Sequence, residues 1–129
     1  MVAWSKPLLF VGALLMLLLG LARGLGGGML VLQGPSADPD IRASAAVVFG
    51  VGIGLSILGT ALVVAAIGVF RRQSAFWRAG MVLTLLFLID GAINGYLLYG
   101  SPGDRGTLVN LAAAALIVGC LLAGRSGLR

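Results

Sequence analysis

Histidine and glutamate are absent from this chain, and cysteine occurs once, as Cys120. Without histidine there is no imidazole ligand for haem or zinc, and a lone thiol cannot form an intrachain disulfide, a CxxC pair or a cysteine metal cluster. Aspartate is the only source of side-chain carboxylates, with four copies, which leaves little material for general acid and base catalysis. We therefore expect no enzyme activity, no metal site and no cofactor.

Charged residues are also scarce. They make up 10% of the 129 residues, against 60% hydrophobic residues, and the mean hydropathy is +1.10. A water-soluble domain of this size needs more polar residues to cover its core, so we expect the bilayer to be the solvent. Four apolar stretches, near residues 7–32, 43–70, 79–100 and 106–123, come close to or exceed the roughly 18 residues that mark a membrane-spanning helix. The sequence predicts an all-α fold, an integral membrane bundle of four transmembrane helices in one domain, residues 1–129.

The basic residues indicate the orientation in the membrane. Eight of the nine lie at the ends of the predicted spans or in the terminal tails, so the net charge of +5 predicts topology and not a nucleic-acid partner. By the positive-inside rule both termini are cytoplasmic, and the compact layout is typical of a protein of the bacterial inner membrane. Arg71, Arg72 and Arg78 then share a cytoplasmic loop. They either bind anionic lipid headgroups or only set the topology.

The first apolar stretch has a competing interpretation. Lys6 precedes an apolar run, and residues 20–22 supply small side chains of the kind found at signal-peptide cleavage sites. The hydrophobic stretch continues past Arg23 to Leu32. This continuation favours a retained span over a cleaved signal.

Glycines recur at four-residue intervals in the first two spans. Gly20, Gly24 and Gly28 do so in the first, and Gly50 and Gly54 in the second. Rows of small residues let two helix backbones approach closely in a membrane. We expect these rows to pack the first helix against the second, or else to bind a membrane-protein partner or a second copy of the chain. A neighbouring row of small residues in the second span consists of Gly52, Ser56 and Thr60.

Other local patterns predict breaks, caps and anchors. Three consecutive glycines, residues 26–28, predict a kink or a short break near the outer end of the first helix. Asp40 is a candidate cap for the second helix. Aromatic side chains at the membrane interfaces are expected to anchor the bundle; they are Trp4, Trp77 and Tyr99.

Four charged or carboxamide residues lie inside the predicted spans: Arg23, Asp90, Asn94 and Asn110. Arg23 is not a boundary residue, because a helix that ended just before it would be only about 22 Å long against a hydrocarbon thickness of about 30 Å. Asp90 is about 18 Å along the third helix from its cytoplasmic end, with Asn94 one turn further on. Asn110 enters the fourth span from the opposite side. All four are expected at a similar level in the membrane.

Helical periodicity separates the third helix into two faces. Asp90 and Asn94 share one face with Thr84, Gly91 and Gly95, which is expected to point into the bundle. Large side chains occupy the opposite face, which is expected to contact lipid: Val82, Leu85, Leu86, Ile89, Ile93, Tyr96 and Leu97.

The polar core supports two interpretations. In the first, it binds or passes a small solute or ion. In the second, Arg23 and Asp90 form an ion pair, supported by the two asparagines, that fixes the helix register with nothing bound.

The function therefore stays open between two classes. The glycine faces and the lack of catalytic chemistry favour a noncatalytic scaffold or accessory subunit of a membrane complex. The alternative is a small transporter or channel that uses the polar core.

Overall fold

The computed structural model describes residues 5–100 and 105–128, with side chains in the last helix from Leu108 onward. These residues form helices and turns and no strand, which confirms the predicted all-α bundle. The helices are α1 (Ser5–Gln33), α2 (Ala45–Phe70), α3 (Ser74–Tyr99) and α4 (Arg105–Ala123). Short 3-10 turns cover Gly34–Ala37 and Arg125–Gly127.

Three of the helices, α1, α2 and α3, are long and apolar enough to cross a membrane, so this is a membrane protein. The apolar part of α4, Leu108–Ala123, is shorter. All 19 residues of α4 make a helix about 28 Å long, just under the hydrocarbon thickness of about 30 Å. The fourth predicted span therefore exists as a helix but is the shortest of the four.

The helices follow one another around the bundle. Helix α1 packs against α2 and α4, and α3 packs against the same two helices, while the contact between α1 and α2 is the most extensive. The backbone of Leu9 in α1 lies close to that of Gly124, the residue that follows α4. This contact brings the first and last described segments together. We call this end of the bundle the basal end and the opposite end the distal end. The helix termini are Ser5, Phe70, Ser74 and Ala123 at the basal end, and Gln33, Ala45, Tyr99 and Arg105 at the distal end.

Aliphatic side chains fill the basal half. The buried cluster draws on α1, α2 and α4 and consists of Leu9, Ala13, Met16, Leu62, Ala65, Ala66, Val69, Ile117 and Leu121. Trp77 of α3 joins this region, because its indole Nε1 donates a hydrogen bond to the carbonyl of Leu121 at 2.8 Å. The guanidinium carbon of Arg125 lies 5.5 Å from the centre of the Trp77 ring. Trp77 therefore fastens α3 to α4, beyond the anchoring role predicted for it.

Glycines bring α1 and α2 into backbone contact, but in a different row from the predicted one. A Cβ added to Gly20 would lie 2.7 Å from the carbonyl oxygen of Gly59, and one added to Gly27 would lie 2.5 Å from that of Gly52. Gly24 also lies in the contact, because a Cβ added to Gly59 would lie 2.5 Å from the backbone nitrogen of Gly24. The row thus repeats every seven residues on each helix.

The prediction that Gly28, Gly50 and Gly54 pack the two helices together is wrong. A Cβ added to any of them, or to Gly24, would meet nothing within 4 Å. The reason is geometric. Residues four apart advance about 40° around a helix at each step, whereas residues seven apart drift by only about 20°, so a long contact follows the seven-residue row.

Three local features of the helices differ from the predictions. Helix α1 runs unbroken through Gly26, Gly27 and Gly28, so the predicted kink is absent from the described residues. The N-cap of α2 is Ser44, whose hydroxyl accepts a hydrogen bond from the Val47 amide at 3.4 Å, and not Asp40. Helix α3 begins at Ser74, before the predicted start at residue 79. Trp4, one of the predicted interface anchors, lies outside the described residues.

Candidate functional site

The distal half of the bundle contains a cavity of about 300 Å³. Its wall includes glycines, among them Gly26 of α1 and Gly91 and Gly95 of α3, so little side-chain volume fills the space between the helices at this level. The cavity reaches the distal turn at Ala37 and Asp38. All four residues of the predicted polar core line it: Arg23, Asp90, Asn94 and Asn110.

Arg23 is held between α3 and α4. Its guanidinium donates a short hydrogen bond to Oδ1 of Asn110, which ties α1 to α4. The guanidinium carbon also lies 5.2 Å from the ring centre of Phe87, a side chain that is only 1% exposed. An arginine over an aromatic face is stabilised by a cation–π interaction that strengthens where water is excluded. Both partners are electrically neutral, so the positive charge of Arg23 is not compensated by either.

Asp90 has a neutral partner as well. Its carboxylate accepts a hydrogen bond from Nδ2 of Asn94 at 2.9 Å, one turn further along α3. Among the described residues Asp90 forms no ion pair with Arg23, so the ion pair considered from the sequence is not the arrangement found. The packing gives the reason, since Phe87 and Asn110 hold the arginine where it already has two partners.

Asn110 reaches the cavity because Gly91 leaves room for it. A Cβ added to Gly91 would lie 2.7 Å from Nδ2 of Asn110. Any side chain at position 91 would therefore require the asparagine to move. Gly91 therefore positions Asn110, and through it Arg23, by leaving space and not by forming a bond.

The distal turn closes over one side of the cavity. Asp38 accepts a hydrogen bond from the Tyr99 hydroxyl at 3.1 Å and another from the Asp40 amide at 2.9 Å. The backbone amide of Arg42 donates to the carbonyl of Leu98 at 2.7 Å, which attaches the turn to the end of α3. Tyr99 thus lines the cavity and also holds its rim.

The lipid-facing side of α3 is as predicted from its periodicity. The seven large side chains assigned to that face are each between 45% and 63% exposed. Asp90 lies at the boundary between the two faces, because it also borders a shallow groove on the outside of the bundle between α2 and α3. The groove is otherwise lined by apolar residues and a glycine: Gly54, Leu58, Leu86, Ile89 and Ile93.

The three loop arginines and the cysteine lie elsewhere. Arg71 and Arg78 are exposed at the basal end, and Arg72 between them is partly exposed. None of the three lines the cavity. Cys120 is partly buried and is a free thiol, and no group of three or more histidine, cysteine or acidic residues that could hold a metal occurs in the described parts of the chain.

Sequence reasoning missed Phe87, Asp38 and Tyr99 as parts of the site. Phe87 carries no polar signal in an apolar helix, and the contact between Tyr99 and Asp38 joins residues far apart in sequence. Comparison of the chain with protein-family models, curated proteins and solved structures found no match.

Proposed function

We propose that this is a noncatalytic membrane protein that binds a small polar solute or ion in the distal cavity, in the manner of a small transporter. The observation that carries the proposal is the position of Asp90. It belongs to a helix long and apolar enough to cross a membrane, and its carboxyl group lines the cavity between the helices. Ionisable groups at such positions are costly and mark solute or ion sites by default. Its partner Asn94 belongs to the same helix, and a bond within one helix does not fix that helix against its neighbours. A purely structural role, in which the polar residues only fix the helix register, therefore accounts for Arg23 but not for Asp90.

The basal half supports access from the distal side only. Leu62, Ile117 and Leu121 are fully buried or nearly so where the aliphatic cluster closes the bundle. This packing makes an open channel a weaker interpretation than a binding pocket. Transport would require a second conformation in which the basal half opens, as alternating-access mechanisms do.

The orientation belongs to the same proposal. Lys6, Arg71, Arg72, Arg78 and Arg125 lie at or near the basal end, where no aspartate occurs among the described residues. The positive-inside rule supports a cytoplasmic basal end with both termini inside. The bacterial inner membrane is proposed as the location from the compact layout of the sequence. The cavity would then face the outside of the cell.

The experiment compares two leucine substitutions in α1. At Gly26, which lines the cavity, and at Gly28, which does not, a Cβ would meet nothing within 4 Å. We expect Gly26→Leu to fill the cavity and Gly28→Leu to leave it open, with the same gain in helix propensity. Thermal unfolding in lipid nanodiscs is measured with a panel of acetate, chloride, ethylammonium and small amino acids. The proposal requires that at least one of them stabilises the wild type and Gly28→Leu but not Gly26→Leu, and equal behaviour of all three proteins would contradict it.

A second candidate is a scaffold or accessory subunit, and a specific observation favours it. Gly28, Gly50 and Gly54 have open space where a side chain would be, so small-residue faces stay available for a partner helix or a second copy of the chain. Native mass measurement of the complex extracted from its own membrane tests this candidate. A larger heterologous complex that Gly50→Leu dissolves would support it, and a free monomer would contradict it.

A further inference from the structure

The two asparagines give the cavity two poles of opposite hydrogen-bonding character. Oδ1 of Asn110 accepts from Arg23, so its Nδ2 is left as a donor beside the guanidinium. Nδ2 of Asn94 donates to Asp90, so its Oδ1 is left as an acceptor beside the carboxylate. The orientation of both amides follows from the charges, because arginine only donates and an ionised carboxylate only accepts.

Neither charge is neutralised by the protein. Arg23 has an amide and an aromatic ring for partners, and Asp90 has an amide. Within the described parts of the chain, Oδ1 of Asn94 and Nδ2 of Asn110 make no further hydrogen bond. Two opposite charges therefore face one cavity without meeting. A free amide donor lies beside the positive charge and a free amide acceptor beside the negative one. This arrangement is complementary to a ligand that carries both charges.

We propose that the cavity binds a small zwitterion, with its anionic group on Arg23 and Asn110 and its ammonium group on Asp90 and Asn94. This inference rests on the proposed function and names the class of solute. A cavity of about 300 Å³ is at the lower end of the range for small-molecule sites, about 300–1,000 Å³, which suits a compact ligand. A ligand with one charge would leave the opposite charge of the protein uncompensated in a low-dielectric site.

Two sources could supply such a ligand. One is a free amino acid or a similar solute that enters at the distal turn. The other is the headgroup of an ethanolamine phospholipid that reaches Asp90 through the outer groove between α2 and α3. Both present an ammonium group and an anionic group a few bonds apart.

The test measures binding to wild-type protein in nanodiscs that contain only phosphatidylglycerol. The probes are unbranched ω-amino acids from glycine to 6-aminohexanoate, with butyrate and butylammonium as single-charge controls. We expect one member of the series to bind at least about tenfold tighter than either control. We expect Gly28→Leu to keep this preference and Gly26→Leu to lose binding altogether.

Charge-neutralising variants assign the two poles. Asp90→Asn keeps only the positive pole, so this variant is expected to bind the preferred amino acid no more tightly than it binds butyrate. Arg23→Gln keeps only the negative pole, so it is expected to bind the amino acid no more tightly than it binds butylammonium. If either variant fails to fold, the comparison of probes on the wild type still decides the matter. A second set of nanodiscs with equimolar phosphatidylethanolamine separates the sources, since a headgroup in the cavity would weaken amino-acid binding to the wild type at least about tenfold.

Each failure has a separate meaning. If butyrate or butylammonium binds the wild type as tightly as the best amino acid, the zwitterion is wrong and the polar site stands. If no amino acid and no single-charge probe binds in phosphatidylglycerol, and phosphatidylethanolamine stabilises Gly26→Leu as much as the wild type, the binding site and the zwitterion are both wrong.

Discussion

The basal and distal halves of the bundle are built from the same four helices, but they use the space between them differently. In the basal half, side chains such as Met16, Leu62 and Ile117 interlock and are almost completely buried. In the distal half, glycines such as Gly26 and Gly91 line a cavity, and polar side chains enter it. Helix association in a membrane depends on close packing, because lipid tails are as apolar as leucine. The buried apolar cluster of the basal half has nine members, whereas that of the distal half has three, Val48, Val51 and Leu98. The basal half therefore supplies most of the apolar packing, and the distal half keeps an open site.

The largest expected effect concerns the contact that holds both halves together. In Gly59→Leu the new Cβ would lie 2.5 Å from the Gly24 nitrogen and 2.6 Å from the Gly20 oxygen, both backbone atoms that cannot move aside. We expect a loss of at least about 4 kcal/mol in the free energy of unfolding, enough to prevent folding. Gly50→Leu is the control in the same helix, since its Cβ meets nothing within 4 Å. Unfolding by dodecyl sulfate in mixed micelles measures both, and equal stability would refute the seven-residue contact row.

A direct test of the two halves truncates one residue in each. Leu62 is 0% exposed in the basal cluster, so Leu62→Ala should cost about 2–4 kcal/mol through lost packing and a new cavity. Asn94→Ala should cost less than about 1 kcal/mol, because intramembrane hydrogen bonds average only about 0.6 kcal/mol and the cavity already exists. The same unfolding assay ranks the two variants. The reverse order would mean that the distal half carries the stability.

Gly91 tests whether the distal site can be altered without disturbing the basal half. In Gly91→Ala the added Cβ displaces the end of the Asn110 side chain, so the bond from Arg23 to Asn110 should break. We expect a loss of stability of about 1 kcal/mol or less and about a tenfold loss of affinity for the best amino-acid probe. Gly119→Ala in α4 is the matched control, since its Cβ meets nothing. A variant with unchanged affinity would show that Asn110 does not position Arg23.

The smallest effect lies in the basal turn between α2 and α3. Arg72 adopts a left-handed conformation with φ of 59°, which glycine accepts more easily than arginine. We expect Arg72→Gly to raise the free energy of unfolding by about 0.5 kcal/mol, because relief of the left-handed strain, about 1–2 kcal/mol, exceeds the roughly 0.4–1 kcal/mol by which glycine's extra freedom stabilises the unfolded chain. Arg71 has φ of −81°, so Arg71→Gly removes the same charge without relieving strain and should not stabilise. If the two variants behave alike in the unfolding assay, charge and not backbone conformation sets the stability of this turn.

Periodicity predicted the orientation of α3 well, because its polar and small residues lie on one face and its large apolar residues on the other. This division can be read from one helix without its neighbours. The helical rise per residue placed Asp90, Asn94, Arg23 and Asn110 at one level, and the structure brings all four around one cavity. It did not predict their pairing. Whether Arg23 meets Asp90 or Asn110 depends on the position of the Phe87 ring and on the space beside Gly91, which belong to the contacts between helices.

The sequence by itself determined that the chain forms apolar helices, roughly where each begins and ends, and which polar residues lie within them. These properties follow from composition and from the repeat of a single helix, and both are local. Only the tertiary structure decided which glycines touch, that α1 runs straight through its three glycines, and that opposite charges share a cavity without pairing. Those outcomes depend on how several helix surfaces fit at once, since a side chain takes the partner that the packing leaves within reach.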